Sequence, residues 1–143
     1  VHPKLVAVVE RAILVTTRDF AVHEGLRTVE RQRAYVAAGT SWTLNSKHLR
    51  QPDGYAHAID LVPFIDGKLQ WDWEGCYRIA ATMCAAATAE GVRLRWGGAW
   101  DRLLNAYGRS PEAAEAASRN YAERRRRLGK RVALDGPHYE IAS

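Results

Sequence analysis

Apolar side chains recur at helical spacing in three parts of the chain. Residues 1–15 carry a stripe that is typical of one helix face and predicts an amphipathic helix: Leu5, Val8, Val9, Ala12 and Ile13. Residues 29–38 predict a second helix, which Thr28 caps and Gly39 ends. An alanine-rich stretch over residues 73–90 predicts a third helix.

Shorter apolar segments between these helices predict strands. In residues 19–24, Phe20 and Val22 alternate with polar neighbours, which is typical of a strand with one buried face. Residues 58–65 are almost continuously apolar and predict a buried central strand. Residues 66–67 read Asp-Gly, a turn signal that leads this strand into a hairpin. Two further short strands are predicted: residues 92–96 and 134–142.

The order of these elements predicts an α+β fold. We expect a small antiparallel sheet that presents a cleft on one face, with flanking helices packed on the other face. A chain of 143 residues is long enough to bury one core of this kind. We therefore expect residues 1–143 to form a single domain.

The composition indicates a folded chain, with 47% hydrophobic residues and five tryptophans. No apolar run approaches the roughly eighteen residues of a membrane span. Charges are threaded through residues 1–13, so the start does not resemble a signal peptide. Cys76 and Cys84 would be about 12 Å apart on one helix, whereas a disulfide tolerates about 7 Å. We expect two free thiols.

Imidazole and carboxylate groups are concentrated in two short segments, residues 46–63 and 135–141. Zinc in hydrolases usually has three protein ligands from His, Asp, Glu or Cys and leaves a fourth position for water. His48, Asp60 and His138 satisfy that count. Together the two segments can form one metal site.

Asp135 is placed to act as a general base beside such a site. Gly136 and Pro137 would let Asp135 and His138 face the same point. Zinc lowers the pKa of water from about 15.7 to roughly 7, and a nearby carboxylate must take the proton. An acid such as Asp60 inside an apolar run is costly unless it is paired or bound to metal. From spacing alone, hydrogen-bonded core residues without a metal remain an alternative.

Four stretches of the chain carry a more specific signal, and they include the motifs SKHL, GYAHAIDLVP, RWGGAW and DGPHYEI. The stretches are residues 24–49, 54–73, 95–100 and 135–141. In this order they resemble the phage and prophage L-alanyl-D-glutamate peptidases. These are zinc endolysins related to the bacterial D-Ala-D-Ala dipeptidases and carboxypeptidases. The resemblance covers most of the chain and implies the zinc D-Ala-D-Ala-peptidase/hedgehog-like fold.

The resemblance also implies a metal and a base. It implies one Zn²⁺ per chain on His48, Asp60 and His138, with Asp135 as the general base. It implies that the enzyme cleaves the peptide stem of peptidoglycan.

Three further residues match positions that contact substrate in the family: Arg27, Gln32 and Ser46. The matching Arg binds substrate and stabilises the carbonyl oxygen as it becomes negative, and a fixed guanidinium suits that step. Trp42, in the polar loop of residues 39–45, has two interpretations, since it could line the cleft or cover the core.

The chain departs from the family pattern at two places in these motifs. His48 and Asp60 are twelve positions apart, a longer spacing than the family's, with residues 50–54 as an apparent insertion that turn formers could absorb. His57 is therefore a rival ligand, although the family's histidine at that place is not the usual ligand, and we favour His48. Ala99 replaces the acid of the family's Trp-Gly-Gly-Asp-Trp, which puts a supporting contact in doubt.

A third departure is residues 103–131, which we interpret as a basic helical insertion. Ser110, followed by Pro and Glu, predicts the start of its helix. Its end, from Arg124 to Arg131, is the most basic part of a chain with a net charge of +5. Two interpretations stay open: a solvated face, or a patch that binds anionic wall or outer-membrane polymers. We expect no nucleic-acid partner, because no recognised binding motif accompanies the charge.

The resemblance carried by these motifs implies a zinc-dependent peptidoglycan endopeptidase that hydrolyses the L-Ala-D-Glu bond of the stem peptide. Two alternatives are kept. One is a D-Ala-D-Ala carboxypeptidase on the same scaffold, and the other is a non-catalytic cell-wall-binding module that has lost the metal. We expect a monomer made in the host cytoplasm without a signal peptide, which acts on the cell wall after release.

Overall fold

A computed structural model describes residues 1–41 and 43–142 of the chain, so Trp42 lies outside the described residues. The elements in chain order are α1 (Pro3–Val15), β1 (Phe20–Glu24), α2 (Val29–Ala37), β2 (Ala58–Ile65), β3 (Lys68–Leu69), α3 (Trp73–Glu90), β4 (Leu94–Trp96), β5 (Ala99–Leu103), α4 (Leu104–Tyr107), α5 (Pro111–Arg127) and β6 (His138–Ile141). Each predicted helix and strand has a counterpart, and β5 and α4 are additional.

The strands of the described residues form one antiparallel sheet in the order β1-β2-β6-β4-β5, and β3 pairs with β2. This confirms the predicted small antiparallel sheet with flanking helices. The central pair β2 and β6 comes from segments far apart in sequence. Its register sets Asp60 opposite His138, and on the other side of β2 Glu24 pairs with Asp60. The sheet therefore brings both histidine-bearing segments together.

The core lies between the sheet and the helices. Buried side chains of α1, α3 and α5 belong to the same apolar cluster as Ile59 and Leu61 of β2. In α1, Leu5, Val8 and Ala12 are buried, whereas Ile13 is 40% exposed, so the predicted stripe was too wide on that side. None of the helices in the described part of the chain has both the length and the apolar character needed to cross a membrane.

Two predicted strands need correction. The strand predicted over residues 134–142 is shorter, because the His138 amide donates to the Asp135 carbonyl at 3.1 Å and forms a turn. In β1, Phe20 is buried but Val22 is 54% exposed. The pairing of β1 with β2 is irregular between Val22 and Glu24, so the alternation predicted for this strand is not kept.

Local sequence signals account for several element boundaries. The Thr28 side chain accepts a hydrogen bond from the Arg31 amide at the start of α2, and Ser110 caps α5 in the same way. Gly91 ends α3 with a positive φ of 67°. Cys76 and Cys84 are both free, which confirms the expectation of two thiols.

Candidate metal centre

Asp60 lies between two imidazole rings at the centre of the sheet. Its Oδ1 atom is 3.1 Å from His48 Nε2 and 3.3 Å from His138 Nδ1. The two rings meet at 75° with their centroids 5.1 Å apart. His48 and His138 are only 2% and 7% exposed. The structure thus brings the three candidate ligands together, with both imidazoles buried.

Backbone contacts explain why these side chains converge. Asp60 and His138 are partners in the β2–β6 register. His48 comes from a loop, and its carbonyl accepts a hydrogen bond from the Arg27 amide at 2.8 Å. An isolated antiparallel bridge between Arg50 and Ala56 closes the apparent insertion into a small loop. The long spacing is therefore absorbed without moving His48 away from Asp60.

The protein also sets the tautomer of each histidine. The Gly25 carbonyl can only accept, so His48 carries its proton on Nδ1, which donates to that oxygen at 2.8 Å. His138 Nε2 donates to Glu140 Oε1 at 2.9 Å. The remaining ring nitrogens, His48 Nε2 and His138 Nδ1, face Asp60 Oδ1, and each can offer its lone pair to a metal once it carries no proton. Two oriented imidazoles and a carboxylate are a donor set that fits Zn²⁺.

The electrostatics of the site favour a positive charge. Burial alone would raise the pKa of Asp60, but hydrogen bonds from His138 and His48 hold that pKa well below its usual range. Burial would likewise lower the pKa of His138, but its hydrogen bonds to Asp60 and Glu140 raise it to about 9. A proton and a metal ion therefore compete for the ring nitrogens that face Asp60.

Asp135 lies in the same cleft, in the turn before β6. It keeps contact with solvent, but the surrounding cleft walls desolvate its carboxyl group and raise the pKa, and the nearby Asp60 carboxylate raises it further. A raised pKa suits a group that must both accept and return a proton near neutral pH.

The RWGGAW motif holds this turn in place. The Trp96 indole donates to the Gly136 carbonyl at 2.7 Å. The Gly97 amide donates to the His138 carbonyl, and the Gly97 carbonyl accepts from the Asp135 amide, both at 2.9 Å. A Cβ atom on Gly97 would lie 2.2 Å from the Asp135 carbonyl oxygen. Only glycine therefore fits here without moving the turn.

The end of the same motif forms one side of the site. The Trp100 ring lies 5.1 Å from the His138 ring, and its indole donates to the Ala133 carbonyl at 2.7 Å. No role for this tryptophan was predicted from the sequence. Ala99, at the position of the replaced acid, is 1% exposed and belongs to the apolar core. No charged side chain supports the centre from that position.

Arg27 is held rigidly at the edge of the cleft. Its guanidinium makes a two-pronged ion pair with Glu24, at 2.8 and 2.7 Å, and also donates to the Gln32 side chain. Gln32 is 1% exposed and donates onward to Ser41 and to the Thr43 carbonyl. The structure thus places Gln32 behind Arg27 rather than among the residues lining the cleft. Glu24 is a partner that the sequence pattern did not single out.

The cleft around the centre has a volume of about 1240 Å³. Its lining includes the three candidate ligands and Asp135, and also Arg27 and Ser46. It further includes Tyr121, Arg125 and Arg131 from the basic segment. Part of the predicted basic patch therefore faces the cleft.

His57, the rival ligand, does not belong to this centre. Its Nε2 atom lies 2.6 Å from Asp53 Oδ2, and these two residues form a separate cluster with His2. The structure therefore groups His48, and not His57, with Asp60 and His138.

Two imidazoles, the half-buried carboxylate of Asp60 and the second carboxylate of Asp135 lie in one open cleft, an arrangement typical of a hydrolase centre. A model of the phage L-alanyl-D-glutamate peptidase family matches residues 1–142, and the chain belongs to this family. This confirms the resemblance seen in the motifs.

Two relatives support the assignment. The chain is 33% identical over 105 residues to the L-alanyl-D-glutamate peptidase of Escherichia phage T5, a match that covers 71% of this chain and 73% of that protein. The crystal structure of Serratia marcescens L-Ala D-Glu endopeptidase ChiX superposes with a TM-score of 0.70 at 32% identity. That match covers 99% of this chain and 80% of ChiX.

Proposed function

We propose that this peptidase hydrolyses the L-Ala-D-Glu bond of peptidoglycan stem peptides with one metal ion held by His48, Asp60 and His138. The observation that carries the metal is the orientation of both histidines. In His48, Nδ1 is hydrogen-bonded to the Gly25 carbonyl and Nε2 faces Asp60 Oδ1. In His138, Nε2 is hydrogen-bonded to Glu140 and Nδ1 faces the same oxygen. The T5 and ChiX relatives are named for this bond.

The chain's own residues divide the chemistry among them. A zinc ion held by these three residues would supply a Lewis acid for the scissile carbonyl and would lower the pKa of a water molecule, although the same donor set also takes other divalent ions. Asp135 accepts the proton of the attacking water and delivers it to the leaving amine. Arg27 stabilises the carbonyl oxygen as negative charge develops.

The surroundings of Arg27 support that role. The Glu24 ion pair and the Gln32 hydrogen bond fix the guanidinium, and its side chain is 10% exposed. A donor fixed before the reaction needs no reorganisation when charge appears. We assign Gln32 a positioning role through Arg27. Ser46 lines the cleft and keeps its predicted role in substrate contact.

We assign two roles to the basic stretch from Arg124 to Arg131. Arg125 and Arg131 line the cleft, and the Arg125 Nε atom donates to the Arg131 carbonyl at 2.8 Å. The D-Glu residue of a stem peptide keeps a free α-carboxylate beside the bond that is cut. We assign the cleft-lining arginines to that carboxylate. We assign the exposed residues 126–130 to anionic wall or outer-membrane polymers.

The substitution Asp135→Ala tests this function. We expect turnover to fall by at least about 100-fold while one zinc stays at the centre, because a general base is lost and no ligand is removed. Digestion of purified muropeptides followed by mass spectrometry measures turnover and identifies the bond. Asp66→Asn, in the exposed turn between β2 and β3, is the matched control and keeps full activity.

Two outcomes count against the proposal. Full activity in Asp135→Ala removes Asp135 from the mechanism. Release of free D-Ala by the unmodified chain, without cleavage after L-Ala, replaces the endopeptidase with a carboxypeptidase on the same scaffold.

A further inference from the structure

A second cluster of two imidazoles and one carboxylate lies outside the cleft. His57 Nε2 is 2.6 Å from Asp53 Oδ2, and His2 Nε2 is 3.7 Å from the same oxygen. The two rings meet at 87° with their centroids 5.3 Å apart. One candidate ligand atom from each residue lies within 4.8 Å of the others. These three side chains are separate from the cleft lining.

The two clusters are on opposite faces of the sheet. His57 directly precedes β2 and continues its pairing, since the Ile141 amide donates to the His57 carbonyl at 2.9 Å. Successive side chains of a strand alternate between faces, so His57 and Asp60, three positions apart, point in opposite directions. Ile59, between them, lies in the apolar core. The clusters cannot share one ion.

The geometry of the second cluster is set by backbone contacts. The His2 amide donates to the Ala56 carbonyl at 2.9 Å, which fixes the start of α1 beside the loop. Asp53 Oδ1 accepts from the Tyr55 amide at 3.1 Å, which leaves Oδ2 facing the imidazoles. The Arg50–Ala56 bridge closes the loop that carries Asp53. The three side chains are therefore preorganised without an ion.

We propose that His2, Asp53 and His57 bind a second transition-metal ion, with Zn²⁺ as the first candidate. Imidazole nitrogens favour Zn²⁺ and its neighbours, whereas Ca²⁺ and Mg²⁺ take oxygen ligands. The side chains are 22%, 41% and 22% exposed, so water can complete the coordination. The ion would link the start of α1, the loop of residues 50–56 and the start of β2.

Binding there has a cost at His2. His2 Nδ1 accepts a hydrogen bond from the Lys4 amide at 3.1 Å and so caps α1, which places the ring proton on Nε2. Coordination through Nε2 moves that proton to Nδ1 and breaks the cap. Loss of such a cap weakens the metal site by about fivefold. We therefore expect this site to be weaker than the buried centre.

Zinc stoichiometry tests the inference. Untagged protein is stripped with a chelator, dialysed against buffered free Zn²⁺ and analysed for zinc per chain by elemental analysis. We expect two zinc ions in the unmodified chain and one in Asp53→Asn and in His57→Asn. Both variants keep peptidase activity and circular dichroism, which shows that they fold. Glu10→Gln, an exposed acid on α1, is the matched control and keeps two ions.

His48→Ala separates this inference from the proposed function. We expect that variant to lose activity and to keep one zinc ion, and the double variant with Asp53→Asn to bind none. A single zinc in the unmodified chain, or two ions retained in both Asp53→Asn and His57→Asn, overturns the second site. An inactive unmodified chain that binds zinc only through Asp53 and His57 overturns the proposed centre and leaves the second site standing.

Discussion

In each buried histidine, the ring nitrogen that faces away from Asp60 makes a hydrogen bond that fixes the orientation of the ring. His138 donates to Glu140 through Nε2, so Nδ1 is the ring nitrogen that faces Asp60. Carboxylates that accept from the outer nitrogen of a ligand histidine orient the ring and make it a better donor. Glu140 was not predicted as a functional residue, although strand alternation already put it on the same face as His138.

Proton competition at His138 predicts a pH dependence of zinc binding. The pKa of His138 in the metal-free chain is raised to about 9, so between pH 6 and 8 a proton must leave before the metal binds. Affinity should therefore fall by about tenfold for each pH unit lowered. Competition with a chelator of known affinity at pH 6, 7 and 8 measures it.

Glu140→Gln is the matched variant for this effect. Its amide oxygen can still accept from His138, but the negative charge that helps to raise the pKa of His138 is gone. We expect a shallower pH dependence in that variant. An affinity that is constant from pH 6 to 8 in the unmodified chain contradicts the assignment of His138 as a ligand.

At the scale of elements, the turn between β4 and β5 supports the turn before β6 that carries Asp135. Trp96 and Gly97 make three hydrogen bonds to the backbone of residues 135–138. The motif therefore supports this turn through shape and backbone pairing, and none of its side chains belongs to the candidate ligand group.

Gly97→Ala should lower activity by moving Asp135. The new Cβ would lie 2.2 Å from the Asp135 carbonyl, so the turn must shift, and overpacking of this kind destabilises by about 1–3 kcal/mol. We expect turnover to fall by roughly tenfold or more. Steady-state kinetics and thermal unfolding measure the two effects.

Gly129→Ala separates activity from stability. Gly129 has a positive φ of 64° just after α5 and open space around it, so the variant loses about 1 kcal/mol through backbone strain alone. It should keep normal turnover. Equal turnover in Gly97→Ala and the unmodified chain would show that the turn does not position Asp135.

We expect Arg125, near the end of α5, to bind the free α-carboxylate of the substrate's D-Glu residue. Arg125→Ala should lower kcat/KM by about tenfold on stem peptides that contain D-Glu, since a charged hydrogen bond is lost. On peptides that contain D-isoglutamine, in which that carboxylate is an amide, the same variant should have little effect. Kinetics on the two synthetic peptides measure the difference.

Arg126→Ala is the control from the same helix, because residue 126 is exposed and is not part of the cleft lining. It should behave like the unmodified chain on both peptides. An equal loss in Arg125→Ala on both peptides would indicate a general effect on the cleft and not recognition of the carboxylate.

At the scale of the whole molecule, the proposed metal centre joins three parts of the chain that are distant in sequence. His48 lies in a loop, Asp60 on β2 and His138 on β6. An ion bound there stabilises only the folded state, so its binding energy adds to the free energy of unfolding.

Zinc should therefore raise the thermal midpoint. At about 100 times the dissociation constant the gain is about 2.7 kcal/mol, or roughly 5–10 °C for a chain of this size. Asp53→Asn is the appropriate background, because it removes the second proposed site. Thermal unfolding with and without zinc measures the shift, and adding His48→Ala to that background should abolish it.

Local sequence determined a large part of this protein. Helix periodicity, caps and the Asp-Gly turn are encoded within a few residues of one another, so most helices and strands could be predicted, although β5 and α4 were missed. The motifs around His48, Asp60 and His138 also pointed to one site, and the structure places those side chains together. Such signals survive in sequence because each depends on short-range geometry or on the chemistry of the side chain itself.

Only the tertiary structure decided which groups share a space. It separated His57 from the centre, placed Gln32 behind Arg27 and brought Arg125 from a distant helix to the cleft. It also brought His2, just before α1, next to Asp53 in the loop before β2. These relations depend on strand register, on which face a side chain takes and on how loops close. All three are set by packing between segments far apart in the chain, which no local pattern records.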